Sequence, residues 1–529
     1  MTNSIQEAEQ AEVILVIGSN TTEAHPVVSY YMKRARKKGA TLIVCDPRTI
    51  DLCRWADIHV QHRIGSDIAL INGLMNEIIT QGWADRDFIE QHTEGFEAVS
   101  ETIAQYPVER ASEITGVPTD EIRRVARILG EANSAAVFYT LGITEHICGT
   151  DNVMSLSNLQ MLLGNIGKPG AGLNPLRGQN NVQGACDVGA LPDVYNGYQR
   201  VDNPQVVEKF ERAWGRPGLS TKVGRTVPSM FTGLKDGSLR ALYVFGENIA
   251  MSEPDTNHVI ACLEAAEFVI VNEIFENETT AYADVVFPAT CWAELDGTFT
   301  STERRVSRVR PALRPPGEAR DDWWVFAELA RRMGHDLGFS SSSGIWEELR
   351  ELGTGYRGIT WEKCEKVGVQ WPAPTLDHPG TPYLHRDGLF ARGKGRFIPT
   401  EWVPPAELPD EEYPLILSTG RRLWHYHTGT QTRRSRGFDE VFGEELIELN
   451  PDDAARLGIA DREMVRVTSR RGTLDVKAWV TDRSPRGICW MAFHFREANA
   501  NLLTTGAADP VTGTPELKHA AIRVEKLAP

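Results

Sequence analysis

The chain has 529 residues, room for three to four domains at about 150 residues each. Hydrophobic residues make up 41% and charged residues 24%, a composition that buries sizeable cores. The net charge of −16 argues against a nucleic-acid or anionic-membrane partner, and no apolar run reaches the ~20 residues that span a bilayer. The polar, acidic opening from Met1 to Gln10 has none of the apolar core of a signal peptide, so a cytoplasmic location is expected. The eight cysteines are scattered; the closest two, Cys45 and Cys53, lie eight apart and no C-x-x-C occurs. A self-contained zinc or iron–sulfur site is therefore not expected, and buried thiols in a reducing compartment are.

Glu12 to Ile17 is a short β-rich run. Gly18-Ser19-Asn20 follows, then His25-Pro26 and a helical pattern ending at Gly39. Thr41 to Cys45 reads as a second strand ending in Asp46-Pro47-Arg48. This is a βαβ unit of the dinucleotide-binding kind without G-x-G-x-x-G, which disfavours a plain NAD site. Ligands of such sheets bind beyond the carboxyl ends of the strands, which places Gly18, Asn20, Asp46 and Arg48 at one rim; Asp46-Pro47 also reads as a simple turn. A strand at 57–60 precedes Gly65-Ser66-Asp67, where Asp67 can cap a helix running to Thr80. Helices are expected near 118–131 and 150–163, and a strand over 135–140 that leads into Gly142, Thr144 and His146, the last a polar neighbour or a ligand.

The segment Asn174 to Gly189 is unusual. It carries one cation, Arg177, three glycines and six amide or carboxylate side chains, with neither helical nor strand periodicity. Amides both donate and accept hydrogen bonds, glycines let backbone approach closely, and arginine offers a fixed fork to a planar anion. It reads as a loop lining a polar site for a heteroatom-rich ligand, or as a solvated linker.

The opening plan then recurs. Val16 to Asn20 matches Val244 to Asn248, Leu42 to Asp46 matches Val269 to Glu273, and Ala56 to Val60 matches Ala283 to Phe287. From Gly18 to Ile43 is 25 residues and from Gly246 to Ile270 is 24. Three matches in register predict two related α/β domains, whose two rims facing a shared loop would suit a ligand with two similar halves. Glu294 to Val306 suits close contact with a ligand, or its Arg304-Arg305 pair is a solvated ion-pair face. A helix is expected over 321–333. Residues 353–410 read as a Pro- and Gly-rich connection. Strands at 413–418, 443–449, 463–469 and 473–480, with a short helix ending at Gly458, predict a barrel-like domain. Two polar segments hang from it, Ser418 to Arg434 and Phe493 to Lys518. On a strand His425 and His427 would share a face, and zinc would need a third ligand that nothing nominates.

The loop R-G-Q-N-N-V-Q-G-A-C-D-x-G-A-L-P (Arg177 to Pro192), E-x-x-G-T-F-T-x-x-E-R-R (Glu294 to Arg305) and H-x-H-T-G-T-x-T-R-R (His425 to Arg434) resemble the molybdenum or tungsten oxidoreductases that carry two molybdopterin guanine dinucleotides. The first motif leans to the catalytic subunit of formate dehydrogenases. Ser301 stands where many members have Asn and Gln431 where many have Met. The resemblance runs along the whole chain and implies two dinucleotide-binding-like α/β domains, 1–180 and 181–405, plus a C-terminal barrel-like domain over 406–529.

It also implies roles. Arg177 would hold the formate carboxylate beside the metal, with Gln179 and Asn180 lining the same pocket. Gly18, Asn20, Asp46, Arg48, Gly65, Asp67, Gly142 and Thr144 would contact one pterin dinucleotide. Gly246, Asn248, Asp321, Thr419, Gly420, Arg421, His427, Thr428, Asn501 and Lys518 would divide between the two. No residue of this chain is expected to ligate the metal. The family's front domain, four cysteines holding a [4Fe–4S] cluster and then a Cys or selenocysteine metal ligand, has no counterpart. The expectation is the downstream piece of a longer enzyme, inactive alone and partnered by an electron-transfer subunit or a separate front half. A nitrate reductase and a non-catalytic cofactor-binding fragment are the alternatives.

Overall fold

The computed structural model describes residues 1–527. The chain forms two compact units: residues 1–176, 248–261 and 383–529 make the first, and 177–247 and 262–382 the second. In chain order the elements that matter to the site are β1 (Val13–Ile17), α1 (Thr21–Ala24), α2 (Pro26–Lys37), β2 (Thr41–Cys45), β3 (Ile58–Val60), α3 (Asp67–Thr80), β4 (Ala135–Tyr139), β5 (Leu173–Pro175), α4 (Val182–Asp187), β6 (Ala241–Phe245), α5 (Ile249–Ser252), β7 (Phe268–Glu273) and β8 (Val285–Pro288). The barrel follows: β9 (Leu415–Gly420), β10 (Leu446–Leu449), β11 (Met464–Thr468), β12 (Thr473–Val480), β13 (Ile488–Ala492) and β14 (Ala520–Lys526). Among the described residues no helix is long and apolar enough to cross a membrane.

In the first unit a five-stranded parallel sheet runs β3-β2-β1-β4-β5. Every residue of β1 is buried, because successive side chains point to opposite faces and both faces are covered. Ile14 and Val16 join Val28, Met32, Leu42 and Phe138 on one side. Leu15 and Ile17 join Ile43, Leu70, Leu74 and Val137 on the other. Pro26 opens α2 at a position with no use for its missing N–H, and Gly39 at φ +106° turns the chain out of it.

The second unit holds a three-stranded parallel sheet in the matching order β8-β7-β6. The repeat reaches individual bonds. The N–H of Gly18 donates to the Cys45 carbonyl at 3.0 Å, and that of Gly246 to the Asn272 carbonyl at 2.9 Å. The Asp57 carboxylate accepts from the Leu42 N–H at 2.9 Å, and Asp284 from Val269 at 2.7 Å. Asn20 and Asn248 each precede a one-turn helix without capping it.

The barrel closes in the order β9-β13-β10-β12-β11-β14, with inward residues such as Leu417, Ile447, Val467 and Met491 forming its core. Its strands β13 and β14 are absent from the sequence reading. Ile488–Ala492 is a continuous apolar run rather than an alternating one, and its burial on both faces explains that. Residues 353–410 are more than a connection. They include a helix at Trp361–Lys366 and a strand at Val369–Gln370 that pairs with Arg305 and Val306, and Phe397 enters the core of the first sheet. Proline and glycine mask these elements because they sit between them, not in them.

Candidate functional site

The carboxyl ends of β1 and β4 meet through two glycines. Gly18, at φ +54°, and Gly142 are back to back: a Cβ on Gly142 would lie 2.6 Å from the Gly18 Cα, and one on Gly18 2.8 Å from the Gly142 carbonyl carbon. The Thr140 hydroxyl donates to the Gly18 carbonyl at 2.8 Å, and Thr144 ends the turn Leu141–Thr144. On this rim both polar atoms of the Asn20 side chain are buried without a partner, and so is the Thr22 hydroxyl. Asp46 accepts from the Arg48 N–H at 2.9 Å, and burial raises its pKa. Gly65, at φ +75°, leaves room for the Pro405 ring. Asp67 opens α3, and instead of capping it the carboxylate takes the His62 Nε2–H at 3.0 Å.

The polar end of the barrel meets this rim. Arg48 gives Nε, at 2.7 Å, and Nη2 to the buried Glu448 and lies 4.0 Å from the centre of the Trp490 ring. Lys518 donates to the Thr419 carbonyl at 3.0 Å and pairs with Glu145 at 2.5 Å. The Thr419 hydroxyl donates to Leu517 at 2.8 Å, and Gly420 is small because Trp490 packs on it. Arg421 lies over Phe493 at 4.7 Å, and burial lowers its pKa. The Asn501 amide donates to the Met251 and Ser252 carbonyls at 2.8 and 2.9 Å and so clamps α5. The preceding residue, Asn248, reaches the Thr430 hydroxyl at 3.3 Å, and Thr430 bonds Thr428 at 3.0 Å.

The histidines do not form a metal site. The chain leaves β9 at Gly420, so His425 and His427 are on an irregular segment and not on one strand face. The two ring nitrogens of His425 bond the Phe442 carbonyl at 2.6 Å and the Thr432 hydroxyl at 3.2 Å. His427 sits at φ +50°, and burial and then Arg421 push its pKa down to about 4. From the sequence His494 falls in the polar segment Phe493 to Lys518 with no role of its own. It accepts from the Arg422 N–H through Nε2 at 2.9 Å and donates from Nδ1 to the His427 carbonyl, which fixes its tautomer and holds the segment. Among the described residues no three His, Cys, Asp or Glu side chains group to hold a metal ion.

In the second unit Gly246, at φ +64°, has nothing within 4 Å of an added Cβ. At the end of β7 the Asn272 amide donates to Asp322 at 2.8 Å while its Oδ1 is buried without a partner. Asp321, singled out from the sequence, accepts from the Thr290 hydroxyl at 3.2 Å. Its neighbour Asp322 has its pKa pushed up to about 6, mostly by burial. An acidic residue just inside a helix is an ordinary cap signal, so sequence gave no reason to prefer Asp322.

Arg177 is half-buried, two residues beyond β5. Its N–H donates to the Thr302 hydroxyl at 3.1 Å and its Nε–H to the Gln183 carbonyl oxygen at 3.2 Å. Gln179 is half-buried and Asn180 exposed. The stretch read as loop contains α4, six residues long. Asn181, at φ +65°, turns the chain into it and accepts from the Thr300 N–H at 2.9 Å. Gln183 and Asp187, one turn apart, bond at 2.7 Å and stabilise the helix. A cavity of about 290 Å³ opens beside α4, lined in part by Asn181, Asp187, Thr300, Tyr356 and Trp361.

A pterin guanine dinucleotide is rich in nitrogen, oxygen and phosphate. In the first unit the unpartnered buried amide and hydroxyl atoms of Asn20 and Thr22, and in the second the unpartnered Asn272 Oδ1 and the open flank of Gly246, each offer hydrogen-bonding atoms to such a group, since buried polar atoms in folded proteins are otherwise paired. The residues fit.

Comparison with known proteins supports a molybdopterin cofactor. The family model described as Molybdopterin oxidoreductase matches residues 1–332, and the one described as Molydopterin dinucleotide binding domain matches 415–521. The chain is 45% identical to F420-dependent formate dehydrogenase 2 subunit alpha of Methanococcus maripaludis, over 100% of this chain and 78% of that one. It is 39% identical to Formate dehydrogenase H of Escherichia coli, over 100% of this chain and 74% of that one. Acetylene hydratase from Pelobacter acetylenicus has the same fold, with a TM-score of 0.77 over 99% of this chain and 81% of that one at 20% identity.

Proposed function

We propose that this chain, which belongs to the molybdopterin oxidoreductase family, is the catalytic part of a formate dehydrogenase. The observation that carries the reading is the half-buried Arg177, held by Gln183 in an amide-rich stretch. Formate, HCOO⁻, becomes CO₂ by losing a proton and two electrons. When bound, the pterin-held molybdenum or tungsten supplies the electron acceptor.

The chain's own task is to bind and orient. Formate has only a carboxylate to grip, and a planar guanidinium grips it with two parallel hydrogen bonds. Such a clamp fixes where the C–H points, and orientation of this kind can lower a barrier by about 7–11 kcal/mol. Gln179 and Asn180 add amide donors to the same pocket. Asn20, Thr22, Gly18, Gly142 and Thr144 would hold one dinucleotide at the first rim, with Asp46, Gly65 and Asp67 beside them. Gly246, Asn248, Asn272, Asp321 and Asp322 would take part in holding the other. Arg421, His427 and Thr428 would reach pterin or phosphate from the barrel. Arg48, Lys518 and Asn501, whose bonds run to Glu448, Glu145 and the α5 carbonyls, would act by shaping these surfaces. The three-domain division 1–180, 181–405 and 406–529 follows the same plan: one α/β domain per dinucleotide and a C-terminal barrel-like domain. Electrons would leave through a [4Fe–4S] centre on another domain or subunit, and the location is cytoplasmic.

Arg177→Lys in the cofactor-loaded enzyme tests the reading. It keeps the charge and loses the fork, so formate turnover falls about a hundredfold or more; near-normal turnover contradicts the anchor. Nitrate, also planar and trigonal, fits the same fork, and a loaded enzyme that reduces nitrate but leaves formate untouched would favour that second reading.

A further inference from the structure

We infer that Gln183 and Asp187 are positioning residues that set the plane of the Arg177 guanidinium; the inference rests on Arg177 being the formate anchor. Five groups form one chain of bonds. Arg177 Nε–H donates to Gln183 Oε1 at 3.2 Å, and Gln183 Nε2–H donates to Asp187 Oδ1 at 2.7 Å. The same Asp187 oxygen accepts from the Tyr198 hydroxyl at 2.6 Å, and its other oxygen accepts from the Trp371 indole N–H at 2.7 Å. Gln183 is 5% exposed and Asp187 1%.

The polarity of this chain is fixed by what each group can do. Arginine only donates and a carboxylate only accepts, so the carboxamide between them must turn its oxygen to Arg177 and its nitrogen to Asp187. A flipped amide would face donor with donor and acceptor with acceptor. Asp187 is held in turn from both sides by Tyr198 and Trp371. Neither end of the amide can rotate without leaving a buried group unpaired, which costs about 1–3 kcal/mol. Arg177 is a flexible side chain whose five donors share one plane. Gripping Nε fixes that plane, and with it the direction in which the terminal nitrogens can meet a carboxylate. Burial and the Asp187 bond also raise the pKa of Tyr198, so its hydroxyl stays a donor.

The test uses the cofactor-loaded enzyme and Gln183→Leu, which keeps bulk and removes the bonds to Arg177, Asp187 and Tyr198. kcat/KM for formate falls about tenfold, mostly through KM, because a guanidinium no longer gripped at Nε by Gln183 binds the carboxylate more weakly before as well as during the reaction. Activity is not the only readout. With ¹⁵N-arginine labelling, the Arg177 Nε–H signal, identified as the one lost in Arg177→Lys, exchanges with solvent at least tenfold faster in Gln183→Leu. Tyr198→Phe, which removes one donor to Asp187 and leaves the helix intact, gives the same changes at about a third of the size and serves if Gln183→Leu does not fold. Unchanged exchange at that proton in both variants overturns the inference. Faster exchange together with full formate turnover by Arg177→Lys leaves the positioning chain standing and removes the formate reading, so the two fail separately.

Discussion

At the scale of single residues, position and partner diverge. Arg48, Lys518 and Asn501 were legible as polar residues in motif segments, but their bonds were not, because Arg48 meets Glu448 400 positions away and Lys518 meets Glu145. A local motif names a residue type that a site needs; it does not reveal which distant carboxylate will face it. His62 and Asp67 show the same limit and allow a prediction. Burial alone lowers the His62 pKa, but the Asp67 charge and hydrogen bond outweigh it and the net shift is upward from 6.5. Burial alone raises Asp67, and His62 brings it below 3.8. His62 therefore contributes stability that is complete below pH 6.5 and is lost as pH rises through its higher folded value. Asp67 contributes stability present above pH 3.8 and lost as pH falls through its lower folded value. Urea midpoints of the wild type should decline from pH 6 to pH 9, and His62→Gln should flatten that decline. An equal slope in both proteins would mean the pair does not titrate this way.

At the scale of elements, what could be read depended on whether neighbours in sequence do the work. Strands β1 and β2 are unbroken apolar runs closed by glycine or Asp-Pro, and their reading needs no distant partner. Helix α4 escaped because its stabilising feature is one side-chain bond, Gln183 to Asp187, inside a stretch whose composition looks like a loop. The glycines that close β1 and β6 look identical in sequence and differ in the fold. At the first rim Gly142 is pressed on Gly18, whereas Gly246 faces open space. Gly142→Ala forces two backbones apart and should cost about 3 kcal/mol, the upper range for overpacking. Gly246→Ala carries only the left-handed backbone penalty of about 1 kcal/mol. Denaturant unfolding of both variants separates the cases; equal losses would mean that the close approach of Gly18 and Gly142 is relieved by small shifts.

At the scale of the whole molecule, the internal repeat is the feature that sequence conveyed best. Three matched segments in register became two parallel sheets with the same strand order, the same glycine N–H bond and the same aspartate bonded at the start of the second strand. The barrel was legible in outline only, since two of its six strands, β13 and β14, flank the polar segment Phe493 to Lys518, and β13 shows no alternation that marks a strand. Each α/β copy ends in a polar rim with unpartnered buried atoms, Asn20 and Thr22 in one and Asn272 in the other. That duplication is the physical argument for a cofactor with two similar halves. The most direct measurement is the guanine nucleotide content of the chain purified from cells that make the cofactor. Acid hydrolysis of the pyrophosphate bonds releases one GMP for each dinucleotide bound. Two GMP per chain is the expected result; one or none would contradict a dinucleotide bound at each rim.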